Sequence, residues 1–100
     1  MTAVAADYGI PYEHVANSVT GQVLGTTGAK GDYLHRIIVT VNTAATGTVS
    51  IIDGAFSHAI VRANTPIGVY PIEINTKSVT SGWSVTTGAG AEVLAVGNFT

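Results

Sequence analysis

Residues 32–42, Asp-Tyr-Leu-His-Arg-Ile-Ile-Val-Thr-Val-Asn, form the longest run of strand-favouring residues in the chain. In strict alternation, Tyr33, His35, Ile37, Val39 and Val41 share one face, and Leu34, Arg36, Ile38, Thr40 and Asn42 the other. The first face is apolar toward its C-terminal end. The second mixes charge, hydroxyl and amide with two aliphatics. This pattern predicts a half-buried strand at the centre of a sheet. With Leu34 and Ile38 opposite the buried set, the second face is expected to meet an N-terminal arm or another subunit, with Arg36 as an interface group.

Working outward, the same preference recurs in shorter runs. The chain of 100 residues holds 13 Val, 9 Ile and 14 Thr against 3 Leu, so residues stiff at χ1 dominate over straight-chain helix formers. Val19–Leu24 predicts a short strand interrupted at Gly21. Thr48–Ile52 predicts a strand returning from the central one, and Asp53-Gly54 a tight turn after it. Ser57–Arg62 and Val69–Asn75 follow, the latter with Tyr70, Ile72 and Ile74 on one side. Pro71 has no N–H for a ladder, which places that strand at an edge or a bulge. Trp83–Thr87 and Ala91–Phe99 complete about seven strands, with turn signals every 8–12 residues. The expectation is an all-β domain over residues 19–100, an antiparallel β-sandwich or small barrel of jelly-roll or immunoglobulin-like type.

Residues 1–18 show no sustained period, and Gly9 and Pro11 break any helix begun at Ala3–Ala6. Tyr8, Ile10, Tyr12 and Val15 are nonetheless too apolar for a solvated tail. They predict an arm that packs on its own domain or on a neighbour.

One domain of this length can build a core unaided, since area scaling leaves roughly 5,300 Å² accessible of about 15,000 Å² in the unfolded chain. There are no cysteines to staple it. The net charge of −2, with 10% charged residues, provides no electrostatic footprint for nucleic acid or an anionic membrane. No run approaches a transmembrane span, and the N-terminus carries neither a basic leader nor an apolar signal core. A free monomer of this size would ordinarily carry about 25% charged residues. So low a charge predicts a surface largely covered by other subunits.

Chemistry-bearing patterns are sparse. His14, His35 and His58 lack a nucleophile-elbow context, and no pair has metal-ligand spacing. Asp32 and Asp53 beside glycine could form an oxygen-rich loop, but ordinary turn roles explain them. Gly25–Gly31 matches neither a phosphate-binding loop nor a dinucleotide fingerprint. No catalytic residue, cofactor or metal is expected. An aromatic sugar platform would draw on Tyr8, Tyr12, Tyr33, Tyr70 or Trp83, although Trp83 suits the rim of the core, its N–H bonded there.

One further pattern runs through the chain: Gly-Asp-Tyr-Leu-x-Arg-Ile-Ile-Val-Thr-Val at 31–41, Val-Ser-Ile-Ile-Asp-Gly at 49–54 and Gly-Val-Tyr-Pro-Ile-Glu-Ile at 68–74. Ser-Gly-Trp-Ser-Val-Thr-Thr-Gly-Ala-Gly-Ala-Glu-Val at 81–93 and Gly-Asn-Phe at 97–99 continue it. Over residues 31–100 this resembles small proteins encoded among the virion structural genes of tailed bacteriophages. The resemblance implies a capsid decoration, or cement, protein that assembles in the host cytoplasm and ends on the capsid surface. It would oligomerise, often as a trimer, and bind the major capsid protein, its arm reaching a neighbour. The alternative is a carbohydrate- or receptor-binding module of a tail fibre or surface protein.

Overall fold

The computed structural model describes residues 12–100. Eight strands follow in order: β1 (Tyr12–Val15), β2 (Gln22–Val23), β3 (Tyr33–Val41), β4 (Val49–Asp53), β5 (Phe56–Val61), β6 (Gly68–Lys77), β7 (Trp83–Thr86) and β8 (Ala91–Asn98). They form two four-stranded antiparallel sheets, β1-β8-β3-β6 and β2-β7-β4-β5, packed face to face in a sandwich-like arrangement. β3 is central, flanked by β8 and β6, and β6 with Pro71 is an edge.

The alternating β-branched residues meet between the sheets. Ile37, Val39 and Val41 of β3, with Val93 and Ala95 of β8, face Val49 and Ile51 of β4 and Val85 of β7, all essentially sealed from water. Burying a side chain of this size contributes about 1.5–3 kcal/mol, so this layer is the main source of stability.

Strict alternation fails at one place in β3. Leu34 pairs with Gly97, but Arg36 pairs with Val96, so His35 is an extra residue relative to β8. On the other side Ile74 and Asn75 of β6 stand opposite His35, with Asn75 at φ 53°. Such a bulge shifts the phase of everything before it. Leu34 therefore turns inward with Ile37 and is fully buried, where unbroken alternation would place it outside with Arg36 and Ile38.

The arm boundary also moves. Tyr12–Val15 is a strand of the body, paired with Val93–Val96, and Val15 is fully buried. Beyond it, Ser18 N donates to Gly88 O (3.1 Å), and Ala16 O accepts from Thr87 Oγ1 (2.6 Å). Residues 12–18 thus belong to the two-sheet body, and the rest of the expected arm lies outside the described residues.

Candidate functional site

The side of sheet β1-β8-β3-β6 that faces away from the core is laid out by the register. One row runs Tyr12, Val96, Arg36, Glu73, and the next His14, Leu94, Ile38, Pro71; Glu92, Thr40 and Val69 follow. Tyr12 is 70% exposed and Val69 62%, with Val96, Leu94 and Ile38 half-buried between them. Arg36, Glu73 and Glu92 of this face each have a side-chain partner on it. Arg36 Nε lies 3.0 Å from Glu73 Oε2 without the alignment of a hydrogen bond, so charge alone holds that pair. His14 Nε2 lies 3.0 Å from Glu92 Oε1, and Asn42 Nδ2 donates to Glu92 Oε2 over 3.1 Å. The His14 contact, then Asn42, keeps the Glu92 carboxyl below its usual range. What remains is an apolar band bordered by the Arg36–Glu73 ion pair and the His14–Glu92 contact, the composition of an interface core within a polar rim.

A second feature lies where β5 and β6, the far edges of the two sheets, run past each other. A groove of about 440 Å³ opens there, lined by Ile60, Val61 and Arg62 on one side and Val69–Ile72 on the other. Tyr70, Ile72 and Ile74 turn toward the core yet stay half-buried, and Phe56 and His58, opposite the core residues Asp53 and Ile51, remain exposed. The two edges differ in their protection. β6 carries Pro71, Glu73 and Lys77, residues that discourage further pairing; Phe56-Ser-His-Ala-Ile-Val of β5 holds no Lys, Glu or Pro.

The two carboxylates that could suggest a metal, Asp32 and Asp53, are occupied in holding loops. Burial would raise the Asp32 carboxyl, but hydrogen bonds from the Thr100 hydroxyl (2.6 Å), Thr100 N and Ala29 N (both 3.0 Å) outweigh it, leaving it below its ordinary value. Asp53 is set low in the same way. Against burial stand the backbone N–H groups of Val79 (2.8 Å), Ser81 (2.9 Å) and Thr80 (3.1 Å), with a smaller Coulombic contribution from His58. Neither carboxylate is left open for a calcium ion. His35 bonds Tyr33 Oη at 3.3 Å, His14 faces Glu92, and His58 lies on the β5 edge. Among the described residues no three His, Cys, Asp or Glu side chains converge as a metal site.

Of the aromatic residues weighed for a sugar platform, Trp83 is buried and donates its Nε1–H to Asp32 O over 3.0 Å. Tyr33 and Tyr70 are half-buried, with hydroxyls donated to Asn75 and to the Pro66 carbonyl. Tyr12 alone of the described set stands free on a face. Of the residues expected at an interface, Tyr12, Arg36 and Ile38 come together on the apolar face. Val15 and Leu34 are corrections: both lie in the domain's own core, out of reach of a partner. Tyr8 and Ile10 lie outside the described residues. Sequence reading missed Leu94 and Val96, the middle of the band, because their alternation with Val93 and Ala95 does not say which set faces the second sheet. Comparison with protein-family models, with curated proteins and with solved structures returns no match to this chain.

Proposed function

We propose that this chain is a non-enzymatic virion structural protein, a capsid decoration protein that self-associates and seats on a lattice of major capsid protein. The observation that carries the reading is the outer face of sheet β1-β8-β3-β6, where no further strand of the described residues covers the apolar band of Tyr12, Val96, Leu94, Ile38 and Val69, and Arg36 pairs with Glu73 at its border. A repeating shell favours such a face. Contact is made through apolar area with few charges to desolvate, and weak individual contacts gain from being many. Carboxylates consumed by loop backbone and a buried tryptophan are consistent with a body built for packing rather than for turnover or sugar stacking. The finer fold is read as a jelly-roll or immunoglobulin-like sandwich; the absence of any ladder joining the two sheets among the described residues favours this over a closed barrel.

The test is sedimentation of the purified chain alone and with purified phage heads. Self-association and saturable co-sedimentation are expected. A monomer that stays in the supernatant with heads present overturns the proposal.

A further inference from the structure

The β5–β6 side of the body brings together an open ladder, an apolar groove and one cation. Among the described residues β5 is the last strand of sheet β2-β7-β4-β5, so every second residue turns its main-chain N–H and C=O away from β4. Its residues, Phe56–Val61, include no Lys, Glu or Pro to discourage a further strand. Beside it runs the groove of about 440 Å³, where Ile60, Tyr70 and Ile72 pack on the core yet stay half-covered. Arg62, just past the end of β5, lines the same groove. It is exposed, and among the described residues it pairs with no carboxylate.

An open edge supplies main-chain bonds to an extended peptide, and side-chain room beside it selects residues at alternate positions. We propose that this side binds an extended acidic segment of another protein, added as a strand along β5, with alternate apolar side chains in the groove and a carboxylate on Arg62. Every ladder of the described body is antiparallel. A strand added in the same sense begins beside the end of β5, so the acid belongs at the N-terminal end of the segment. At about 3.4 Å per residue, some six residues span the edge.

Charge decides against a second β5 as the occupant. Phe56-Ser-His-Ala-Ile-Val brings no carboxylate. Two such strands paired antiparallel about His58 would carry Arg62 to the Asp53-Gly54 turn of the other copy. The Asp53 carboxylate is buried there and already accepts from the N–H groups of Val79, Thr80 and Ser81. The same pairing sets two His58 rings side by side, where protonation makes them repel.

The occupant is a peptide strand on β5 whether or not the outer face of the other sheet seats on a shell. The test titrates the full chain into a fluorescein-labelled, end-capped hexapeptide, Glu-Val-Thr-Val-Thr-Val, and follows fluorescence anisotropy. Saturable binding is expected, with slower amide hydrogen exchange in β5. The peptide Glu-Thr-Thr-Thr-Thr-Thr should bind at least roughly tenfold more weakly, since its groove-facing positions are polar. Arg62→Glu, at an exposed position and checked for folding by circular dichroism, should weaken binding of the first peptide roughly tenfold or more. Lys-Val-Thr-Val-Thr-Val should bind that variant and bind the unmodified chain poorly. No binding at millimolar peptide overturns the proposal, as does binding that Arg62→Glu leaves unchanged or that does not protect β5. Protection of β5 in the peptide-free chain that disappears on dilution would make the occupant a second copy and overturn it too.

Discussion

The indole Nε1 of Trp83 donates to the main-chain carbonyl of Asp32 over 3.0 Å, joining the first residue of β7 in one sheet to the residue before β3 in the other. The same carbonyl accepts from Ser78 N at 2.9 Å. Trp83→Phe therefore keeps most of the apolar body and leaves the carbonyl one of its two partners. The expected loss is about 1 kcal/mol, the net value of one buried hydrogen bond. Trp83→Ala should lose about 3–5 kcal/mol, because a large cavity opens as well. Trp83 is the sole tryptophan, so its emission reports folding directly. Urea denaturation followed by fluorescence, with circular dichroism for the variants, measures both losses.

Acid stability follows from Asp32 and Asp53. Both carboxyls sit lower in the folded chain than the unfolded value of about 3.9, held there by donors that outweigh burial. A group with a depressed folded value stabilises the fold fully above its unfolded value. That stabilisation disappears as pH falls through the folded one. Thermal unfolding should thus be level above about pH 5 and decline below about pH 4. Asp53→Asn should lower stability near neutrality, on the order of 2–3 kcal/mol for losing the charge from three backbone bonds, and flatten the acid decline. An unchanged acid slope in both Asp53→Asn and Asp32→Asn would place its origin elsewhere.

Leu34 and Arg36 separate the two faces of β3 by energy. Leu34 is fully buried behind the His35 bulge, so Leu34→Ala should cost about 2–5 kcal/mol. Arg36→Ala removes a pair whose side chains are 40% and 52% exposed, which in solvent is worth about 0–1 kcal/mol. Chemical denaturation of the two variants side by side gives the comparison. Strict alternation would put both residues on one face, with similar small effects.

That bulge marks the limit of what the residues reveal on their own. β3 through β8 are legible because Val, Ile and Thr recur at period two between Gly and Asp turns. The edge position of β6 is legible because Pro71 lacks a donor. β1 is not: Tyr-Glu-His-Val buries one residue, and its strand state comes from pairing with β8 some eighty positions away. The bulge carries no glycine, and its conformation depends on Asn75 across the ladder. The outer apolar band and the groove depend on which edges stack, a property of the folded topology rather than of any segment.

Gly82 and Gly28 explain a loop that composition alone reads as slack. A Cβ on Gly82 would stand 2.6 Å from Gly28 Cα and 2.8 Å from Ala29 N, backbone atoms that cannot rotate away. Gly82→Ala should cost about 1–3 kcal/mol through overpacking. Gly21→Ala meets open space and suffers only from its φ of +61°, about 1 kcal/mol. Thermal melts of the two variants should rank them in that order, and equal effects would remove the close approach as the cause.

Ile38 and Leu94 lie side by side in the register, at the middle of the outer face and away from the β5 edge. If that face seats on a capsid lattice, charge placed at its middle should weaken head binding without unfolding the chain. Ile38→Lys with Leu94→Lys places two cations in the apolar band. Both side chains point away from the core, so the fold should survive with little change in melting temperature. Binding to phage heads should fall steeply, because a charge buried at an interface without a partner costs several kcal/mol. Sedimentation of the double variant and the unmodified chain with heads measures the loss, and circular dichroism checks the fold. Head binding retained by the folded double variant would remove this face as the seat.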